Sequence, residues 1–117
     1  MAKPHIHSIN SARKFGGVPE DYQDIHDFID ISKSAHASMK HRVVLHSALG
    51  CYIVERVFGH TRKNSDGKEF SVRDVAEQHI LDDLGFIPSL DDWMDEMEEK
   101  PWMCGFNKIK DKIKVVD

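Results

Sequence analysis

Histidine and aspartate stand four residues apart at His79 and Asp83, within a stretch whose apolar residues recur at helical spacing. On a helix that turns about 100° per residue, both lie on the broad stripe that contains Ile80, so both are expected to face inward. Residues four apart are stacked one turn from each other, which lets the two side chains reach one point. A buried imidazole beside a carboxylate can hold a metal ion or handle a proton, and this pair is the first candidate for chemistry.

Two further histidines lie on faces that are expected to be inward. His26 and Asp30 repeat the four-residue spacing at the edge of an apolar stripe, and His46 shares a face with Gly50 and Ile53 in the most apolar segment. A neutral imidazole enters such a face only with partners for its nitrogens. Gly50 would let another backbone or a ligand approach closely.

If three helices pack with these faces together, nitrogen and oxygen donors without thiolate converge on one site, formed by His26, Asp30, His46, His79 and Asp83. Such a set suits Zn(II), Mn(II) or Fe(II), and helical bundles commonly build metal sites in this way. In this hypothesis His46, His79 and Asp83 bind the ion. His26 and Asp30 complete its coordination or act on a metal-bound water. The reserve candidates are His41, Glu55 and Glu77.

An enzyme with this site would most readily hydrolyse a phosphate ester or a nucleotide, because a divalent ion activates water. His26 and Asp27 also form the dipeptide that helical metal-dependent phosphohydrolases use, although the motif is weak by itself. Glu77 and His79 are only two residues apart, which excludes the zinc-protease HExxH motif. The absence of a glycine-rich loop followed by GK[ST] excludes a P-loop hydrolase, and no residue is assigned as catalytic.

The competing hypothesis is a non-catalytic protein that binds another protein, with the histidines and aspartates as a structural polar network. Each histidine would then donate and accept hydrogen bonds, and Asp83 would pair with Arg73 or Arg42. The docking surface would be an acidic helix over 89–99 that carries Trp93. Packing of Trp93 on the core is preferred, whereas an exposed indole would mark a partner surface. Self-association through an exposed helix face is a third alternative.

Periodicity and capping signals indicate the elements that must position these residues. We expect an extended arm at 1–19, a helix at about 20–34, a break near 34–38, and a helix at 39–58 that is apolar all round and therefore central. An Asp-Gly turn predicts a hairpin, or a plain loop, over 60–72. Ser71 and Gly85 bound the next helix, Ser89 begins the short acidic helix, and 100–117 is expected to be a weakly structured tail. These elements predict an all-α, compact three- or four-helix domain around the central apolar helix.

Composition limits the class of protein. The 117 residues include 40% hydrophobic and 31% charged residues, which is ordinary for one globular domain, and a net charge of -4 does not favour a nucleic-acid partner. Two cysteines imply no disulfide framework. No apolar run approaches the length of a membrane span and no signal-peptide core is present, so a cytoplasmic location is expected.

Short motifs distributed along the chain resemble an uncharacterised family of small bacterial and phage proteins, a domain of unknown function. The motifs are KFGG at 14–17, DY at 21–22, IH at 25–26, HR at 41–42, EQH at 77–79, DLGFIP at 83–88 and DW at 92–93. The resemblance covers about residues 5–93. It implies that His26, His41, His46, Glu77, His79 and Asp83 belong to the family pattern, and it carries no known activity. In the competing hypothesis, the protein would be a phage or bacterial accessory protein.

Overall fold

The computed structural model describes residues 4–105, which form five α-helices and one small antiparallel sheet. The helices are α1 (Pro4–Phe15), α2 (Gln23–Ile29), α3 (Ala48–Phe58), α4 (Val72–Leu84) and α5 (Leu90–Met94). Short 3-10 turns lie at Pro19–Asp21, Ile31–Ser34, Met39–Arg42 and Pro101–Cys104. The fold is mostly α with a hairpin, as the sequence predicts.

The N-terminal segment differs from the expectation of an extended arm, because Pro4–Phe15 is the helix α1. Its sequence is polar, and its buried face carries His7, Ser8 and Ser11 instead of an apolar stripe. These side chains are buried because they bond to residues of α2 and α4. Tertiary contacts, which a periodicity argument does not register, therefore stabilise this helix.

The segment 39–58 is not the continuous, central helix that its apolar residues predict. A 3-10 turn at Met39–Arg42 and an irregular turn precede α3, which begins after Ser47. Ser47 Oγ accepts a hydrogen bond from Gly50 N at 3.0 Å and so caps the helix. A Cβ at position 50 would overlap the Leu45 carbonyl oxygen, so glycine permits the sharp entry into α3.

One face of α3 is exposed, since Tyr52 and Val57 are 51% and 55% exposed, while Cys51 and Val54 are buried. The central helices are α2 and α4, which contact each other and each contact both α1 and α3. The boundaries of α4 agree with the prediction: Ser71 Oγ accepts from Asp74 N, and Gly85 follows the helix in the left-handed conformation.

The other predicted elements are present with changed lengths. The helix expected over 20–34 is divided into a 3-10 turn, α2 and a second 3-10 turn, and 35–38 separates it from the next segment. Strands β1 (Thr61–Lys63) and β2 (Glu69–Ser71) form the hairpin, in which Arg62 pairs with Phe70. The acidic helix is the short α5, capped by Ser89. Most of the tail expected over 100–117 lies outside the described residues.

The apolar core lies between α2, α3, α4 and the hairpin and comprises Tyr22, Ile25, Ile29, Leu45, Cys51, Val54, Phe70, Val72, Val75, Ala76 and Ile80. The core residues of α4 include Val72, Val75 and Ile80, and His79 and Asp83 lie next to Ile80 toward the C-terminal end of the helix. The core thus holds α4 against α2 and α3 and brings its second half toward the end of α2. Within residues 4–105, no helix is long and apolar enough to cross a membrane.

Candidate metal centre

Four side chains that are distant in sequence meet in the interior. Asp30 lies at the C-terminal end of α2, His46 lies in the turn before α3, and His79 and Asp83 are one turn apart on α4. One nitrogen or oxygen atom from each lies within 4.8 Å of the others. The structure thus brings together four of the five residues that the sequence indicates as metal ligands.

The distances between these atoms are those expected around a single small cation. His79 Nε2 lies 3.3 Å from both Asp30 Oδ1 and Asp83 Oδ2. His46 Nε2 lies 3.0 Å from Asp83 Oδ2 and 3.5 Å from Asp30 Oδ1. Ligands at zinc bond lengths in a tetrahedral arrangement are about 3.4 Å apart. One divalent ion therefore fits among the four atoms.

The same atoms are buried without adequate hydrogen bonds. The His46–Asp83 contact has hydrogen-bond geometry, but Asp30 Oδ1, Asp30 Oδ2 and His79 Nε2 have no hydrogen-bond partner among the described residues. His79 and Asp30 are close, yet their atoms do not have the angles of a hydrogen bond. Buried polar atoms in this state are costly, and a shared cation would satisfy them together.

A chain of hydrogen bonds behind His79 determines which of its nitrogens carries the proton. The chain begins at Gln78, whose Nε2 donates to Asp82 Oδ2 at 2.6 Å and to the His7 carbonyl oxygen at 3.3 Å. A carboxylate and a carbonyl only accept, so the amide orientation is determined. Gln78 Oε1 is then the acceptor for the Ser11 hydroxyl, at 2.5 Å.

The orientation of the Gln78 amide determines the positions of the protons on Ser11, His26 and His79. Because Ser11 gives its single proton to Gln78, its oxygen accepts from His26 Nε2, 2.7 Å away. Neutral His26 then has a lone pair on Nδ1, which accepts from His79 Nδ1 at 2.9 Å. With its proton on Nδ1, neutral His79 points the Nε2 lone pair at two carboxylates. A metal ligand commonly has this arrangement, with the distal N–H donated to a second group.

The charges keep His26 neutral but favour a second proton on His79 Nε2 in metal-free protein, so the neutral form of His79 described above is the form that would bind a metal. Burial above all, with the nearby His79 and His7, lowers the pKa of His26 to about 2, so His26 stays neutral. Burial also opposes protonation of His79, but the carboxylates of Asp30 and Asp83 outweigh it and raise the pKa of His79. The two carboxylates therefore attract a positive charge to the position beside His79 Nε2.

The four ligands together carry the charge that a divalent ion balances. Burial would raise the pKa of Asp30 and Asp83, but the neighbouring histidines lower both pKa values below the ordinary range of aspartate. Both are thus carboxylates at neutral pH. Burial lowers the pKa of His46, which is neutral there. The two carboxylates leave negative charge beside His79 Nε2 that a cation would balance, and the buried Arg42 already lies 3.7 Å from Asp83.

Other predicted site residues lie outside this cluster. His26 contacts it only through His79. His41 is buried, but its Nδ1 bonds to the Ser38 carbonyl oxygen and its ring centroid is 6.2 Å from that of His46. Asp27, the second residue of the His-Asp dipeptide, is exposed and accepts a hydrogen bond from Gln23.

The two reserve glutamates and Trp93 belong to other contacts. Glu77 pairs with Arg73 at 3.0 Å, and Glu55 lies 2.8 Å from His60. Trp93 Nε1 donates to the His46 carbonyl oxygen at 2.9 Å, and its side chain is half-buried. This bond attaches α5 to the turn that carries His46.

Sequence reasoning missed the contribution of α1. His7 and Ser11 are fully buried and reach the cluster from that helix, and Gln78 and Asp82 join them from α4. The signal that would have found them is the four-residue spacing of His7 and Ser11, the same spacing as in the other pairs. Treating the segment as an extended arm concealed it.

A family model described as "Domain of unknown function (DUF6915)" matches residues 2–103, and the chain belongs to this family. No curated protein and no solved structure matches the chain. The family match agrees with the resemblance that the sequence motifs indicated.

Proposed function

We propose that this family member binds one divalent metal ion, Zn(II), Mn(II) or Fe(II), through Asp30, His46, His79 and Asp83. The observation that carries the proposal is the convergence of His79 Nε2 with Asp30 Oδ1 and Asp83 Oδ2, each 3.3 Å away, in a buried position where the nitrogen has no hydrogen-bond partner among the described residues. The two carboxylates raise the pKa of His79 and so favour a cation at this nitrogen, which is a proton in metal-free protein and would be replaced by the metal ion. A mixed set of nitrogen and oxygen ligands favours these three metals over Ca(II) or Mg(II).

The competing hypothesis of a purely structural polar network is not favoured. Such a network is stabilising only when its members are satisfied, and incomplete satisfaction makes it costlier than an apolar core. In the part of the chain that the structure describes, both oxygens of Asp30, His79 Nε2 and Asp83 Oδ1 have no hydrogen-bond partner. A bound ion would coordinate polar atoms that have no hydrogen-bond partner in the network.

The geometry supports a stabilising role for the ion more than hydrolysis. Metal-dependent hydrolysis of a phosphate ester or nucleotide needs a coordination position that substrate can reach. His46 and His79 are 0% exposed, and the side chains of Asp30 and Asp83 are 4% and 1% exposed. A closed centre of this kind holds α2, α4 and the turn before α3 together, and its affinity adds to the free energy of unfolding.

Metal analysis of untagged protein tests the proposal. We expect one tightly held divalent ion per chain, and a rise in melting temperature on adding the same metal to chelated protein. An ion at 100 times its dissociation constant adds about 2.7 kcal/mol to the free energy of unfolding. His79→Ala should lose both the ion and the shift, whereas the exposed His36→Ala should keep them.

The contrary result would be equally clear. Untagged wild-type protein that holds no stoichiometric metal, and whose melting temperature does not change with Zn(II), Mn(II) or anaerobic Fe(II), would leave the polar network as the better description.

A further inference from the structure

His7 of α1 occupies a position beside the proposed centre that mirrors that of His79. It is 0% exposed, and its Nδ1 lies 3.1 Å from Asp82 Oδ2. Because a carboxylate only accepts, Nδ1 is the donor. A neutral His7 therefore has its lone pair on Nε2, on the side of the ring that faces the cluster.

The Nε2 atom of His7 lies beside a carboxylate oxygen of Asp83. His7 Nε2 lies 3.2 Å from Asp83 Oδ1, and neither atom has a hydrogen-bond partner within residues 4–105. The distance is close to the 3.3 Å between His79 Nε2 and the carboxylates, and the angles again do not fit a hydrogen bond. An imidazole that donates one N–H to a carboxylate and points its other nitrogen at a second oxygen has the arrangement of a metal ligand.

The imidazole rings of His7 and His79 lie face to face. The His7 and His79 rings are stacked, with centroids 3.8 Å apart and an interplanar angle of 25°. His79 Nε2 faces Asp83 Oδ2, and His7 Nε2 faces Oδ1 of the same carboxylate. Stacked rings direct their nitrogens to two neighbouring points, and the metals of two-metal sites are about 3.5–4 Å apart.

We propose that His7 Nε2 and Asp83 Oδ1 form a second divalent-cation position, with the Asp83 carboxylate bridging it to the first. The inference rests on the proposed function, since the first ion occupies the other oxygen of Asp83. Only two protein donors face this position, so the second ion binds more weakly than the first. The helix α1 becomes part of the metal centre through this residue.

Mn(II) titration followed by equilibrium dialysis and electron paramagnetic resonance tests the second position. Wild-type protein should bind two Mn(II) per chain, the second at higher concentration, and show the spin-coupled spectrum of a carboxylate-bridged pair at saturation. His7→Gln, which keeps a donor toward Asp82, should bind one Mn(II) with an uncoupled spectrum. His5→Gln, an exposed position on the same helix, is the matched control and should behave as wild type.

The outcomes separate the two proposals. One uncoupled Mn(II) in saturated wild type would overturn the second position, with His7 then a charged partner of Asp82 and Asp83, and would leave the first position intact. No bound Mn(II), Zn(II) or Fe(II) in wild type would overturn both. If circular dichroism shows that His7→Gln is unfolded, the wild-type spectrum decides: coupling supports the pair, and its absence at saturation contradicts it.

Discussion

Two buried polar regions of this molecule differ in how they satisfy their atoms. At the hairpin, Asn64 Nδ2 donates to the Phe15 carbonyl oxygen and to the Tyr22 hydroxyl, and Asn64 Oδ1 accepts from the backbone N–H groups of Asp66 and Lys68. The Tyr22 hydroxyl in turn donates to the Gly16 carbonyl oxygen at 2.6 Å. We call these residues the Asn64 corner.

The candidate metal centre has comparable burial but the opposite balance. His46 Nε2 donates to Asp83 Oδ2, whereas both oxygens of Asp30 and Oδ1 of Asp83 have no donor among the described residues. The Asn64 corner is therefore complete with protein atoms alone, whereas the candidate metal centre leaves acceptor atoms unpaired. Burial of polar residues alone therefore does not identify a ligand site. An excess of buried acceptors over hydrogen-bond donors is the better indicator.

Replacing Asp83 should have the largest effect, because this side chain contacts His7, His46 and His79. Asp83→Ala should abolish metal binding and lower the free energy of unfolding by about 3–5 kcal/mol, the usual cost of removing one partner from a buried charged set. Denaturant unfolding and metal analysis measure both effects. Asp27→Asn, at an exposed position, should change neither, and a metal-replete Asp83→Ala protein would contradict the assignment.

Disrupting the Asn64 corner should cost less and be independent of metal. Asn64→Ala leaves the Phe15 carbonyl and two backbone N–H groups without their partner, which predicts a loss of about 1–3 kcal/mol. Chelation should destabilise this variant as much as it destabilises wild type, because the two regions share no contact residue. Unfolding with and without chelator checks the additivity, and loss of the chelator response would show that the regions are coupled.

The smallest change in the free energy of unfolding, measured per pH unit, is expected from His26 in chelated protein. Its folded pKa of about 2 lies below the ordinary imidazole value of 6.5, so between these two pH values unfolded His26 takes up a proton and folded His26 does not. The free energy of unfolding should therefore rise with pH up to about 6.5, by about 1.4 kcal/mol per pH unit for each such group. His46, whose pKa is also lowered, contributes with the same sign.

His26→Gln isolates this contribution. Above the titration range of the carboxylates, the variant should show a shallower pH dependence by one proton, measured by denaturant unfolding at a series of pH values. His60→Gln, at a side chain that is 86% exposed, should keep the wild-type slope. An unchanged slope in His26→Gln would mean that folded His26 does not stay neutral.

Local signals in the sequence predicted the elements whose ends are set by their own residues. Ser71 and Gly85 bound α4 as expected, and the Asp-Gly pair at 66–67 turns the hairpin, with φ of 77° at Gly67. Capping and turn preferences depend on backbone groups within a few residues, so the sequence alone predicts them. The inward direction of His79 and Asp83 belongs to the same class, because it follows from helical spacing.

Nonlocal contacts decided the rest. The polar helix α1 exists because His7 and Ser11 find partners on α2 and α4, and α3 is shorter than its apolar pattern suggests because the chain turns sharply at Leu45 and Gly50. The sequence by itself determined that His79 and Asp83 face inward. Only the tertiary structure decided that Asp30 and His46 meet them, that His26 lies behind His79, and that His7 joins them, since donor directions and distances arise only after the helices pack.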